Sequence, residues 1–156
     1  MELTDLITPQ RIACEVEAQS KKRTLELLSE LISQAEDTIA STDVFDSLLA
    51  RERLGGTGVG YGVAIPHGRL KGTQHTLGAF IRLKTGVDFD AADQRPVDLI
   101  FALLVPEEST EEHLQVLSTI AEVFSNPGVC AALRECATES CIYEQLHQWE
   151  MQRTPA

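Results

Sequence analysis

Residues 97 to 105 read VDLIFALLV, and apart from Asp98 every side chain in the run is apolar. A strand with one wet face would alternate, so this one must be covered on both faces, and in a chain this short that cover has to come from helices. Its purely apolar part, Leu99 to Val105, is far below the roughly 20 residues needed to cross a bilayer as a helix. The flanks carry the required cover. Leu25, Leu28, Leu31, Ile32 and Ala35 recur at helical spacing over residues 20–35, with Ser20 placed to cap. A second helix starts at Ser41 or Thr42, carries Val44, Phe45, Leu48 and Leu49, and stops after Leu54 at Gly55-Gly56. Downstream, Ser109-Thr110-Glu111-Glu112 matches a capping box for a helix to about Phe124, Asn126-Pro127-Gly128 breaks it, and two more helical patterns follow. Thr76 to Leu83 and Val63 to Pro66 read as further strands, and residues 83–96 as a turn-rich connection with room for one short edge strand. The expected fold is α/β, a small mixed sheet with helices packed on both sides, in one domain over residues 1–156, since no Pro/Ser-rich or charged linker divides the chain.

Charge narrows the partners. With 13 Lys+Arg against 24 Asp+Glu the net charge is -11, which disfavours nucleic acid and anionic membrane and favours protein partners with a basic patch. The same charge also serves solubility alone. Cys14, Cys130, Cys136 and Cys141 show no C-x-x-C spacing, so no zinc cluster is expected; they read as small buried hydrophobes in a reducing compartment, with a disulfide left open. The opening MELTDLITPQ has neither a basic start nor a long apolar core, so no signal peptide is expected and a cytoplasmic location is.

Between the second helix and the central strand, glycines stand at 55, 56, 58, 60 and 62, and the chain then reads Val63-Ala64-Ile65-Pro66-His67-Gly68. Neither G-x-G-x-x-G nor G-x-x-x-x-G-K-[ST] can be laid over the glycines, so a nucleotide is not implied. Small Ala64 and Gly68 with rigid Pro66 leave the His67 ring approachable, one ring nitrogen outward and the other held by a backbone carbonyl. His113 shares a helix face with Leu117, Ile120 and Phe124, at the end where unpaired amides favour an anion. Taken singly, each reads first as structural, His67 ending a strand and His113 satisfied in the core. His75 and His147 stand in unpatterned polar surroundings and read as surface residues.

Together, Glu52, Val59-Gly60, the segment from Val63 to Gly68, and EEHLQVL around His113, 46 residues after His67, resemble the enzyme IIA domains of the phosphoenolpyruvate-dependent phosphotransferase system, fructose/mannitol class. Residues 57–69 and 102–106 are most similar to its nitrogen-regulatory branch, enzyme IIA-Ntr. The resemblance spans nearly the whole chain and implies that His67 accepts a phosphoryl group through Nε2 from a phosphohistidine on an HPr-like carrier protein. It implies that Arg51 serves phosphoryl charge or donor docking, and that His113 stabilises the phosphoryl group. Partners implied downstream are regulatory proteins such as potassium transporters or sensor kinases. No cofactor or metal is implied, because a phosphohistidine donor is already labile. At Tyr61 the chain departs from the branch, where Asn is common, which bears on the rim and donor preference but not on the nucleophile. A hydrophobic rim of Val63, Ile65 and residues near Leu104 is expected to dock the donor and exclude water. With no span and no fused transporter segment, a signal carried by phosphorylation is expected rather than service to a sugar permease.

Two rival readings remain at this level. One is a regulatory module of the same fold that binds a partner without being phosphorylated. The other is a metal-dependent hydrolase ligated by His67, His113 and one of Glu107, Glu108, Glu111 or Glu112.

Overall fold

A computed structural model describes residues 3–108 and 111–153, the side chains of 111–113 and 153 excepted. The central strand lies where its apolar run requires. β6 (Val97–Pro106) sits inside a six-stranded sheet, antiparallel to β5 (Leu77–Val87) and parallel to β3 (Val63–Ala64) and β4 (His67–Leu70). β1 (Ile12–Val16) runs parallel to β5 at one edge, and β2 (Gly58–Gly60) antiparallel to β3 at the other.

Alternation along β6 divides the core. Ile100, Ala102 and Leu104 face Leu25, Leu28 and Ile32 of α2 (Lys21–Ala35) and Val44 and Leu48 of α3 (Ser41–Leu54). Leu99, Phe101, Leu103 and Val105 face α4 (Glu111–Phe124), α5 (Pro127–Glu135) and α6 (Glu139–Arg153), together with Leu3 and Leu6 of the short α1 (Leu3–Leu6). The sheet is therefore mixed and has helices on both faces, as read from the sequence. The Ser20 hydroxyl accepts the Arg23 N–H at the start of α2, and Asn126 caps α5 with Pro127 at its first position. The capping box at Ser109 to Glu112 lies outside the described residues.

The N-terminal elements leave little trace in the sequence. Arg11, at the end of a 3-10 turn (Pro9–Arg11), is buried and donates through Nε to Gly78 O at 3.0 Å and through Nη2 to Leu6 O at 3.1 Å. Glu150 of α6 is buried against α1, accepting from the Thr4 hydroxyl at 2.7 Å and from the Leu3 N–H. Both would read as surface charges. The expected connection over 83–96 is partly strand, because β5 continues to Val87; no separate strand precedes β6 among the described residues.

The cysteine expectation needs correction. Cys136 and Cys141 form a disulfide, with Cα atoms 5.5 Å apart. Cys136 caps the end of α5 and Cys141 lies in the first turn of α6, so the reversal between the helices brings them together. Cys14 and Cys130 are free, and burial is the main cause pushing the Cys14 thiol up to about 11. Among the described residues no single helix is long and apolar enough to cross a membrane.

Candidate functional site

The site is assembled where α3 ends and β4 begins. Pro66 has no N–H to give a ladder, so the strand breaks between Ala64 and His67, but its carbonyl still accepts the Leu103 N–H at 2.9 Å. The chain stays on β6, and His67 opens a strand beside Leu103 rather than ending one. The next residue must be small. A Cβ on Gly68 would stand 2.3 Å from Ser47 Oγ and 3.1 Å from the Ser47 backbone C and O. Ser47 Oγ donates to Arg69 O at 2.7 Å, which draws β4 against α3 and sets His67 beside Arg51, one helical turn further along.

His67 is half-buried, and its two nitrogens have different neighbours. Nδ1 lies 3.0 Å from Ile65 O, and a carbonyl can only accept, so the proton belongs on Nδ1. Nε2 accepts from Arg51 Nε at 3.1 Å, while Arg51 Nη1 donates to Gly55 O at 2.9 Å. The imidazole is therefore neutral with its lone pair on Nε2. Burial, with the Arg51 charge, holds its pKa below the ordinary 6.5, against an opposing pull from the Ile65 bond and the Glu52 charge. An uncharged nitrogen nucleophile beside a guanidinium can attack an electrophile whose oxygens the guanidinium can hold.

Of the three residues singled out in the sequence, the structure brings two together, Arg51 and His67. Position 113 lies in α4, but the His113 side chain is outside the described residues. The expected rim is wrong: Val63 is 1%, Ile65 5% and Leu104 0% exposed, because β3 and β6 are covered on both faces and Ile65, just after β3, packs into the same core. The large apolar side chains that do reach solvent include Leu54 at the end of α3, Val59 on β2, Tyr61 and Leu114. His75 is exposed as expected, whereas His147 is half-buried, stacks on Tyr143 and has Nδ1 buried without a partner. Among the described residues no three His, Cys, Asp or Glu side chains are grouped to hold a metal ion; Glu111, Glu112 and His113 fall outside that statement.

The Tyr61 departure has a local setting. Tyr61 has φ 58° between Gly60 and Gly62, themselves at 101° and 80°, a region that Asn tolerates better than Tyr. Asp93 accepts the Tyr61 N–H at 2.8 Å, and Arg134, paired with Asp98, donates to Tyr61 O at 2.8 Å. Sequence reasoning gave no part to Asp93 or Arg134, which lie far along the chain. Glu52 helped to carry the resemblance but was assigned no role there, although a carboxylate in the last turn of a helix opposes the helix dipole and is itself a signal.

On a layered mixed sheet the structure thus presents a neutral, Nδ1-protonated imidazole beside an arginine. Residues 5–149 match the family described as phosphoenolpyruvate-dependent sugar phosphotransferase system, EIIA 2, and the chain belongs to that family. Its similarity is to nitrogen regulatory proteins. It is 44% identical to the one from Pseudomonas aeruginosa over 142 residues, covering 91% of this chain and 92% of the relative. To the one from Klebsiella oxytoca it is 41% identical over 145 residues, covering 92% and 89%. The crystal structure of nitrogen regulatory protein IIA-Ntr from Neisseria meningitidis superposes with a TM-score of 0.86 at 42% identity, covering 92% of this chain and 98% of that one. IIA mannitol from Escherichia coli, at 21% identity and a TM-score of 0.76 over 90% and 98%, shares the fold.

Proposed function

We propose that this chain, as one domain over residues 1–156, is a cytoplasmic phosphoryl carrier and regulator of the nitrogen branch of the phosphotransferase system. His67 takes a phosphoryl group from a phosphohistidine on an HPr-like carrier, and partner proteins respond to its phosphorylation state. The observation that carries this reading is the pair of contacts on the His67 ring, Nδ1 on Ile65 O and Nε2 facing Arg51. The Nε2 lone pair forms the new N–P bond while the N–P bond of the donor, its ring protonated at the other nitrogen, breaks. The electron pair returns to the donor, which leaves as a neutral imidazole, and the His67 ring, keeping its Nδ1 proton, takes up the positive charge. Atoms and charge balance without nucleotide or metal, and catalysis reduces to positioning and charge neutralisation.

Arg51 has two roles in sequence. At rest its Nε–H rests on Nε2; as the phosphoryl group arrives the guanidinium turns to the phosphoryl oxygens, steadied by Nη1 on Gly55 O. His113 is assigned to stabilising the bound phosphoryl group. Leu54, Val59 and Leu114 replace the buried residues as apolar contacts for a docked protein. Phosphorylation then adds up to about two negative charges at one spot on the surface, which a basic partner distinguishes. Potassium transporters and sensor kinases are the kinds of downstream partner the family resemblance proposes. A protein partner of another member of the fold is on record in the complex of Escherichia coli enzyme IIA mannitol with phosphorylated enzyme IIB mannitol.

The test is incubation with phosphoenolpyruvate, enzyme I and an HPr-type carrier, read by intact mass. One added phosphoryl group on the wild type and none on a folded His67→Ala variant is expected. A wild type that stays unmodified leaves the non-phosphorylated binding module as the better description.

A further inference from the structure

The last turn of α3 carries two charges that point different ways. Arg51 turns toward His67. Glu52, about 100° further round the helix, turns under the glycine loop, where its side chain is only 3% exposed. That is an unfavourable place for a carboxylate, stripped of water and set at the negative end of the helix. The compensation comes from Lys21 Nζ at 3.2 Å and the Thr57 N–H at 3.0 Å, both on Oε1, and the Thr57 hydroxyl at 2.6 Å on Oε2.

Both Thr57 donors thus close on one side chain, and Thr57 passes the constraint on. Its carbonyl accepts the Ile65 N–H at 3.0 Å, and the Ile65 carbonyl takes the Nδ1 proton of His67 at 3.0 Å. A loop that only had to be closed could use a neutral amide without the desolvation penalty. An ionised acceptor makes the shorter, stronger bonds that fix Thr57, and through it Ile65, in one orientation.

We propose that Glu52 is a positioning residue: acting through Thr57 and Ile65, it aims the carbonyl that keeps the His67 proton on Nδ1 and so leaves the lone pair on Nε2. A neutral imidazole carries its proton on either nitrogen, and only the Nδ1–H form presents Nε2 as a nucleophile. The consequence for rate rests on the reading of His67 as phosphoryl acceptor. The tautomer itself does not, because it can be measured with no phosphoryl donor present.

The experiment uses the full chain, labelled with 15N, with the His67 ring nitrogens read by NMR at alkaline pH. In the wild type Nδ1 should carry the proton and Nε2 should give the signal of an unprotonated nitrogen. In Glu52→Gln both signals should move toward each other, with acceptance slowed about tenfold and the fold intact by circular dichroism. Thr57→Val keeps the main-chain bond to Glu52 and loses the hydroxyl, so it should show a smaller shift, and it replaces Glu52→Gln should that variant not fold. Ring signals unchanged in whichever variant folds would overturn the proposal, whether or not acceptance slows. A fixed Nδ1–H ring that loosens in Glu52→Gln, in a wild type that takes no phosphoryl group, would instead overturn the functional reading and leave the role of Glu52 standing.

Discussion

Replacing Gly68 with Ala should damage the site more than the fold. The added Cβ would lie 2.3 Å from Ser47 Oγ, so reaching ordinary contact near 3.4 Å requires β4 and α3 to separate by roughly 1 Å. Rotating the serine cannot remove the whole conflict, since the Ser47 backbone C and O stand at 3.1 Å. Overpacking of this kind costs about 1–3 kcal/mol, which for a domain of this size lowers Tm by roughly 2–4 °C per kcal/mol. The larger effect falls on geometry, because Arg51 is on α3 and His67 on β4. Opening their 3.1 Å contact by such a distance should slow phosphoryl acceptance by up to about a hundredfold. Thermal unfolding and a labelling time course would give the two numbers. Adding Ser47→Gly should recover part of the rate while still losing the bond to Arg69 O, so the two substitutions should be non-additive. A Gly68→Ala protein with wild-type Tm and wild-type rate would refute the claim that this close approach sets the site.

Acidity should act through His67. Its pKa is held below 6.5, first by burial, so the folded ring stays neutral while the unfolded ring gains its proton; acceptance should hold steady from neutral pH down to 6.5 and fall below it, with some loss of stability over the same range. A rate already halved above pH 6.5 would contradict this assignment. The Cys136–Cys141 disulfide closes a loop of separation 5, which disfavours the unfolded chain by about 2 kcal/mol, so adding a dithiol should lower the unfolding free energy by that much, and with it the midpoint, in the wild type and not in Cys136→Ser/Cys141→Ser. An unchanged midpoint would remove its stabilising role.

The layers of the fold were legible because the controlling signal is local. Val97 to Val105 is apolar at successive positions, and the Leu25/Leu28/Ile32 and Val44/Leu48 spacings supply the cover on one face. The first 16 residues were not legible: α1 is one turn long, and burial of Arg11, and of Glu150 against α1, depends on hydrogen bonds to neutral groups as far as 67 and 147 residues away. Separations of 32 and 73 residues likewise hid Asp93 and Arg134 from the reading of Tyr61. At the site, the Pro66-His67-Gly68 segment pointed to His67 as the candidate nucleophile, and Arg51 followed from the resemblance. The apolar rim failed for a physical reason, since Val63, Ile65 and Leu104 lie in a part of the sheet that helices cover on both faces and so belong to the core. The exposed apolar side chains sit instead on the helix end and edge strand nearby. The Cys136–Cys141 pair depends on how α5 turns into α6, which no spacing rule encodes.

The central claim is that an uncharged His67 receives phosphorus at the nitrogen facing Arg51. After incubation with phosphoenolpyruvate, enzyme I and an HPr-type carrier, phosphorus–nitrogen correlated NMR of the 15N-labelled chain locates the bond. The account predicts a single phosphoryl group on Nε2 of His67, with Nδ1 still protonated. A phosphoryl group on Nδ1, on another residue, or on none would contradict it.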